Sequence, residues 1–143
     1  MKTERILAVL LRICGACMLL ALPAAFMPYD WMDAIHRRAG LGQLPDVPTV
    51  GYLTRSLSGF YALHGALFVF LARDVRTYLP VIRFLAIAGI VSGAGLFGLD
   101  AAVGMPRRWT LAEGPYVVAL SAVLVWLARP RSAPHRAGNG VSH

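Results

Sequence analysis

The stretch RSLSGFYALHGA, residues 55–66, places an arginine and a histidine inside a long apolar segment. An ionisable side chain is costly to expose to lipid at membrane depth, so it normally faces protein or a water-filled cavity. On a helix with about 100° per residue, Arg55 and His64 point about 180° apart. The stretch therefore predicts a membrane helix with two polar faces, each covered by something other than lipid.

One face of this helix is small and the opposite face is bulky. The small face holds Arg55, Ser58, Gly59, Ala62 and Ala66, and the bulky face holds Leu57, Phe60, Tyr61, His64 and Phe68. Small residues at spacings of three and four let membrane helices approach each other closely. We expect the small face to pack on a neighbouring helix, and the bulky face to meet another helix or another subunit.

The composition predicts an all-α membrane protein. Of its 143 residues, 57% are hydrophobic and 15% are charged, whereas charged residues make up roughly 25% of soluble domains. Four apolar runs approach the roughly 20 residues that cross a bilayer core; they cover residues 6–26, 51–71, 81–99 and 111–127. We predict a four-transmembrane-helix bundle in one domain over residues 1–128, followed by a disordered cytoplasmic tail over 129–143. No room is left for a catalytic domain outside the bilayer.

The net charge of +7 is distributed as expected for a membrane protein rather than a nucleic-acid-binding one. If the N-terminus lies inside, nine of the 14 Lys and Arg residues lie inside and five of the seven acidic residues lie outside. A Lys and Arg bias in short loops sets orientation. We predict a multi-pass protein of the bacterial inner membrane with both termini cytoplasmic and with membrane lipids as partners. The first run could also be a signal peptide, but its length and Arg12 favour a retained helix.

The segment from Met27 to Val50 is the one long connection between the runs. Within it, residues 30–39 predict a short amphipathic helix on the outer membrane interface, with Asp30 as N-cap and Gly40 closing the C-terminus. Its apolar side would carry Trp31 and Ile35. The segment would either simply anchor the loop at the surface or cover an outer-leaflet pocket.

The third run predicts a partner for Arg55. Gly89, Gly93 and Asp100 share one stripe, and Gly89-x-x-x-Gly93 is a close-approach motif. Asp100 lies 11 residues from Gly89, and Arg55 lies 11 residues from Ala66. Packing the second helix against the third along these stripes would therefore form an Arg55–Asp100 ion pair.

Glu113 has two interpretations. Thr110 to Glu113 has the spacing of a capping box, although Gly114-Pro115 complicates the helix start. Alternatively, Glu113 joins a polar cluster in the outer leaflet, whose members would be Arg55, Asp100, Glu113, Tyr61, His64 and Tyr116.

Cys14 and Cys17 form the one motif with a chemical name, C-x-x-C. Such a pair can be a thiol–disulfide centre at an exposed helix start. Here it lies inside a helix without a second cysteine pair, which favours a packing role for both residues. We find no cluster of metal ligands, no catalytic motif and no requirement for a cofactor.

Three segments together resemble a known group of proteins. YLTRSLSGFYALHG (52–65), ARDVRTYLPVIRFL (72–85) and WTLAEGP (109–115) are similar to uncharacterised small four-span bacterial membrane proteins, which share a distant similarity in plan with the DoxX-like and BphX-like proteins. The resemblance covers about residues 27–129 and implies the four-span fold and a role for Arg55 and Glu113. It brings no established activity.

These observations leave three classes of function. The first and favoured class is an accessory or structural membrane subunit, acting in a homo-oligomer or a larger membrane complex. The second is binding or transport of a lipid, quinone or small anion in the outer-leaflet cluster. The third is a membrane thiol oxidoreductase at Cys14 and Cys17.

Overall fold

The computed structural model describes residues 2–129. This part of the chain is helical and contains no strand. Its elements are α1 (Lys2–Leu19), a short 3-10 helix (Leu22–Phe26), α2 (Tyr29–Arg38), α3 (Pro48–Leu71), α4 (Leu79–Val103) and α5 (Arg107–Leu127). The all-α prediction is thus confirmed. The tail predicted to be disordered lies outside the described residues, except for Arg129.

Prolines explain where two of the helices differ from the predicted runs. Pro23 lacks an N–H and its ring clashes with the carbonyl four residues earlier, so α1 ends at Leu19 and the chain continues as the 3-10 helix. At the other end of the chain, α5 starts at Arg107 directly after Pro106. The predicted capping box at Thr110 is therefore wrong, because Thr110 and Glu113 both lie inside the helix.

The long helices pack as two antiparallel pairs, α1 with α3 and α4 with α5. In the first pair, a Cβ added to Gly15 would lie 2.7 Å from the Gly65 carbonyl oxygen, and one added to Gly65 would lie 2.6 Å from the Gly15 carbonyl oxygen. Real Cβ atoms do not approach so closely, so only glycine allows the two backbones to touch. Gly15 also faces Val69 while Gly65 faces Leu19, which fixes the antiparallel direction.

The second pair repeats this contact with different residues. A Cβ on Gly93 would lie 2.9 Å from the Gly114 carbonyl oxygen, and one on Gly114 would lie 2.7 Å from the Gly93 carbonyl oxygen. A Cβ on Gly89 would likewise clash, in this case with the Ser121 side chain. The stripe predicted on the third run is thus a packing surface, but it packs on α5. The prediction that it packs on α3 is wrong, because the Gly114 backbone and the Ser121 side chain, both on α5, lie against it.

The packing surface of α3 is also rotated from the prediction. Ala62 and Gly65 are buried, whereas Ala66 is exposed and nothing lies near Gly59. Gly65 rather than Gly59 or Ala66 is therefore the residue that meets the neighbouring helix.

The two pairs are joined at one end of the molecule. A cluster of buried apolar side chains lies there. Leu7 and Leu11 of α1 pack in it with residues from the end of α3, the α3–α4 turn, α4 and the end of α5: Leu71, Ala72, Val75, Ile82, Ala86, Leu124, Leu127 and Ala128. We call this end the arginine end, because Arg5, Arg73, Arg76 and Arg129 are close in sequence to residues of this cluster.

The connection between α1 and α3 is folded back on itself. The Asp33 carboxylate accepts a hydrogen bond of 2.8 Å from the Leu44 amide, and the Tyr29 hydroxyl donates to the Leu44 carbonyl oxygen. Gly40 follows the end of α2 with φ +79°, which confirms the predicted C-terminal glycine. The predicted N-cap is wrong, because α2 begins at Tyr29 after Pro28 and places Asp30 in its first turn.

Candidate functional site

Arg55 lies on the surface near the start of α3. Its guanidinium donates to the Met27 carbonyl oxygen at 3.2 Å and to the Gly51 carbonyl oxygen at 3.4 Å. The bond to Met27 ties α3 to the segment that follows the 3-10 helix, whereas the bond to Gly51 lies within α3. The predicted ion pair with Asp100 is not formed, since neither residue appears in an ion pair within residues 2–129.

Asp100 is buried instead between α4 and α5, with 6% of its surface exposed. Its Oδ2 atom has no hydrogen-bond partner among the described residues. It belongs to the same α4 surface as Gly93, which explains its burial: the close backbone approach of α5 covers the whole stripe. The position of Asp100 on that stripe was predictable from the sequence, whereas the helix covering it was not.

The remaining members of the predicted cluster are spread along α3 and α5. The Trp109 indole N–H donates to the Glu113 carboxylate one turn further along α5. Tyr61 and Tyr116 are exposed, Tyr116 to 66%. In the described part of the chain, no hydrogen bond or ion pair joins Tyr61, Glu113 or Tyr116 to Arg55 or Asp100.

His64 lies on an exposed surface of α3, which we call the α3 outer face and define as Leu57, Phe60, Tyr61 and His64. No residue among positions 2–129 forms a hydrogen bond or ion pair with its ring. Phe60 beside it is 63% exposed and Leu57 is 56% exposed. The second polar face expected from the sequence is thus present and uncovered within the described chain.

The two cysteines occupy different environments. Cys14 is buried and Cys17 is exposed, and both are free thiols. Gly15, which lies between the two cysteines in the sequence, packs directly against Gly65, so this part of α1 is a helix-packing surface. Across residues 2–129, no group of three His, Cys, Asp or Glu side chains could hold a metal ion.

The arginine end holds contacts that sequence reasoning missed. Arg76 forms a two-pronged ion pair with the Glu4 carboxylate at 2.8 and 2.9 Å. The Arg12 guanidinium reaches the Ala72 carbonyl oxygen at 3.4 Å, and the Arg73 guanidinium lies 6.0 Å from the centre of the Phe70 ring. The 72-residue separation of Glu4 and Arg76 explains why no local pattern could reveal their pairing.

Two carboxyl groups in the connections are stabilised in their charged form. The hydrogen bond from the Arg37 guanidinium, together with the Leu44 amide, lowers the pKa of Asp33. Hydrogen bonds from the Thr77 hydroxyl and amide likewise lower the pKa of Asp74 in the turn between α3 and α4. Both groups form hydrogen bonds that order connecting segments.

Length and composition define the class of protein. Among residues 2–129, three helical segments are long and apolar enough to cross a membrane: Lys2–Phe26, Leu79–Val103 and Arg107–Leu127. This indicates a helical membrane protein. Comparison with protein families, with curated proteins and with solved structures finds no match.

Proposed function

We propose that α3 is a fourth membrane span and that the protein is a four-helix bundle. α3 has 24 residues, or about 36 Å at 1.5 Å per residue, which exceeds a hydrocarbon core of about 30 Å. It packs antiparallel to α1 through Gly15 and Gly65, and α1 belongs to a segment apolar enough to span. A helix lying along a spanning helix shares its depth in the bilayer.

The charge distribution supports an orientation for this bundle. The arginine end would face the cytoplasm of a bacterial inner membrane, with both termini on that side, because Lys and Arg concentrate on the cytoplasmic side. α2 would then lie on the outer interface, since Trp31 and Ile35 are exposed while Met32 is buried against the protein. The resemblance of residues 52–65, 72–85 and 109–115 to small four-span bacterial membrane proteins also supports four spans.

Within this arrangement, we favour a role as an accessory or structural membrane subunit. The observation that carries this role is the exposed His64 on the α3 outer face. At membrane depth a histidine facing lipid would lose its hydration without gaining a partner. A helix of this kind fits a position against a membrane partner, either another protein or a second copy of this chain.

Photo-crosslinking in the native membrane tests this role. Benzoylphenylalanine in place of Phe60 on the α3 outer face should yield one crosslinked protein species of discrete mass. The matched control replaces Phe84 on α4, which is exposed to a similar degree, 68% against 63%. We expect lipid adducts alone from position 84. Lipid adducts alone from position 60 as well would overturn the proposal.

A further inference from the structure

An apolar groove runs between α1 and α5 towards the arginine end. It is an open depression of about 490 Å³, lined by Ile6, Val9, Leu10, Ile13, Val123 and Leu127, with Arg5 at its end. From Arg5 to Ile13 the wall is about 12 Å long at 1.5 Å per residue. A single leaflet of a hydrocarbon core of about 30 Å is about 15 Å deep. The groove therefore has the length of an acyl chain within one leaflet.

A smaller cavity adjoins the groove and has charged side chains as well as apolar ones in its wall. It encloses about 140 Å³, shares Leu127 with the groove, and is bordered by Glu4, Arg76 and Arg129. Because Glu4 already binds Arg76 through both carboxylate oxygens, the charge of Arg76 is compensated. Arg5 and Arg129 are exposed and have no hydrogen bond or ion pair within residues 2–129. One guanidinium group at the end of the groove and one beside the adjoining cavity thus have no charge partner among residues 2–129.

We propose that this groove binds one anionic phospholipid. An acyl chain lies along α1 and α5, and the phosphate group lies between the guanidinium groups of Arg5 and Arg129. Arginine can extend its stem along an apolar surface while its charged end reaches the headgroup region. A net negative lipid complements the two charges, whereas a zwitterionic lipid brings its own cation. This site lies on α1 and α5 and does not depend on the role proposed for the α3 outer face.

Lipid titration followed by native mass spectrometry tests the site. Delipidated full-length protein in detergent is titrated with dioleoyl phosphatidylglycerol or with dioleoyl phosphatidylcholine, which differ in headgroup alone. We expect one phosphatidylglycerol to bind at least about tenfold more tightly than phosphatidylcholine, on the basis of about two headgroup contacts. The double variant Arg5→Gln/Arg129→Gln should lose this preference. The control Arg107→Gln/Arg108→Gln removes the same charge at the opposite end and should keep it.

A second pair of variants tests the groove without altering charge. Val9→Trp fills the groove from an exposed position and should weaken phosphatidylglycerol binding, whereas Val91→Trp on the exposed surface of α4 should leave it unchanged. Equal binding of both lipids, or unchanged binding by the Arg5/Arg129 variant, would overturn the proposal. So would equally effective competition by glycerol phosphate, which lacks acyl chains. The protein could also form a dimer that phosphatidylglycerol does not dissociate but that Val9→Trp disrupts. This result would place a second copy of the chain in the groove and would also overturn the proposal.

Discussion

Asp100 places a carboxylate between α4 and α5 with one oxygen unpartnered among the described residues. It lies in the last turn of α4, where the helix dipole is negative. A carboxylate side chain here lies at the negative end of the helix and leaves a buried oxygen atom without a partner, and both features are unfavourable for stability. No hydrogen bond to Oδ2 from the described chain offsets this cost.

Asp100→Asn should raise the melting temperature of the protein in detergent. The amide keeps the shape of the side chain but removes the charge from the buried negative end of α4. We expect the free energy of unfolding to rise by about 1 kcal/mol, which corresponds to a rise of a few degrees in melting temperature. Asp46→Asn, at an exposed position in the connection before α3, is the control and should leave the melting temperature unchanged. A decrease of a few degrees for Asp100→Asn would show that the charged form is bound by a group outside the described contacts.

At the residue scale, side-chain periodicity predicted positions better than partners. The stripe of Gly89, Gly93 and Asp100 is a packing surface as expected, and His64 does lie on a separate face. The Arg55–Asp100 pair failed because equal spacings on two helices do not show that those helices are neighbours. From the sequence, Gly114 was interpreted as a residue that complicates the start of a helix. In the structure, its lack of a side chain allows α4 to pack closely against α5.

At the scale of helices, the glycine contacts should set the stability of each pair. Gly65→Ala places a methyl group 2.6 Å from the Gly15 carbonyl oxygen, which should cost about 1–3 kcal/mol through overpacking. Gly59→Ala lies on the same helix with no other atom within 4 Å. It should leave stability unchanged or raise it by up to about 1 kcal/mol, the gain in helix propensity.

The same comparison can be made on α4. Gly93→Ala places a methyl group against α5 and should be destabilising, whereas the methyl group of Gly95→Ala meets no atom within 4 Å. Thermal unfolding in detergent measures all four variants. Equal melting temperatures for Gly65→Ala and Gly59→Ala would contradict the described packing of α1 on α3.

The connection around α2 should loosen in acid. Because the pKa of Asp33 is lowered in the folded protein, its ionised form stabilises this segment above the ordinary pKa of about 3.9, and this contribution is lost as the pH falls further. The hydrogen exchange of the Leu44 amide, corrected for its intrinsic pH dependence, should therefore lose protection below about pH 4. Asp33→Asn should have weaker protection at neutral pH without this acid step. An acid step of the same size in Asp33→Asn would assign it to another group.

Helix existence was predictable here because apolar runs are long, whereas helix ends depended on proline. Pro23 and Pro106 moved two boundaries away from those set by hydropathy. Gly40 was identified correctly because a glycine after a basic last turn is a local signal. Pairing of the helices was not predictable, since it depends on backbone contacts between residues about 20 to 50 positions apart.

At the scale of the whole molecule, two helix pairs are joined by an apolar cluster at the arginine end. The α3 outer face and the groove between α1 and α5 are separate surfaces of this assembly, with different chemistry. The first carries an exposed histidine and aromatic side chains, and the second carries aliphatic side chains below arginines. This difference is the reason why we propose a protein partner for one surface and a lipid for the other.

The most direct test of the central proposal is native mass spectrometry of the protein extracted gently from its own membrane. The account predicts a complex with a membrane protein, or with a second copy of this chain, at one fixed stoichiometry. The partner's mass should match the species crosslinked from position 60. Bound phospholipid alone would agree with the groove but not with the α3 outer face. A monomer carrying lipid alone would therefore contradict the assignment of this protein as an accessory or structural subunit.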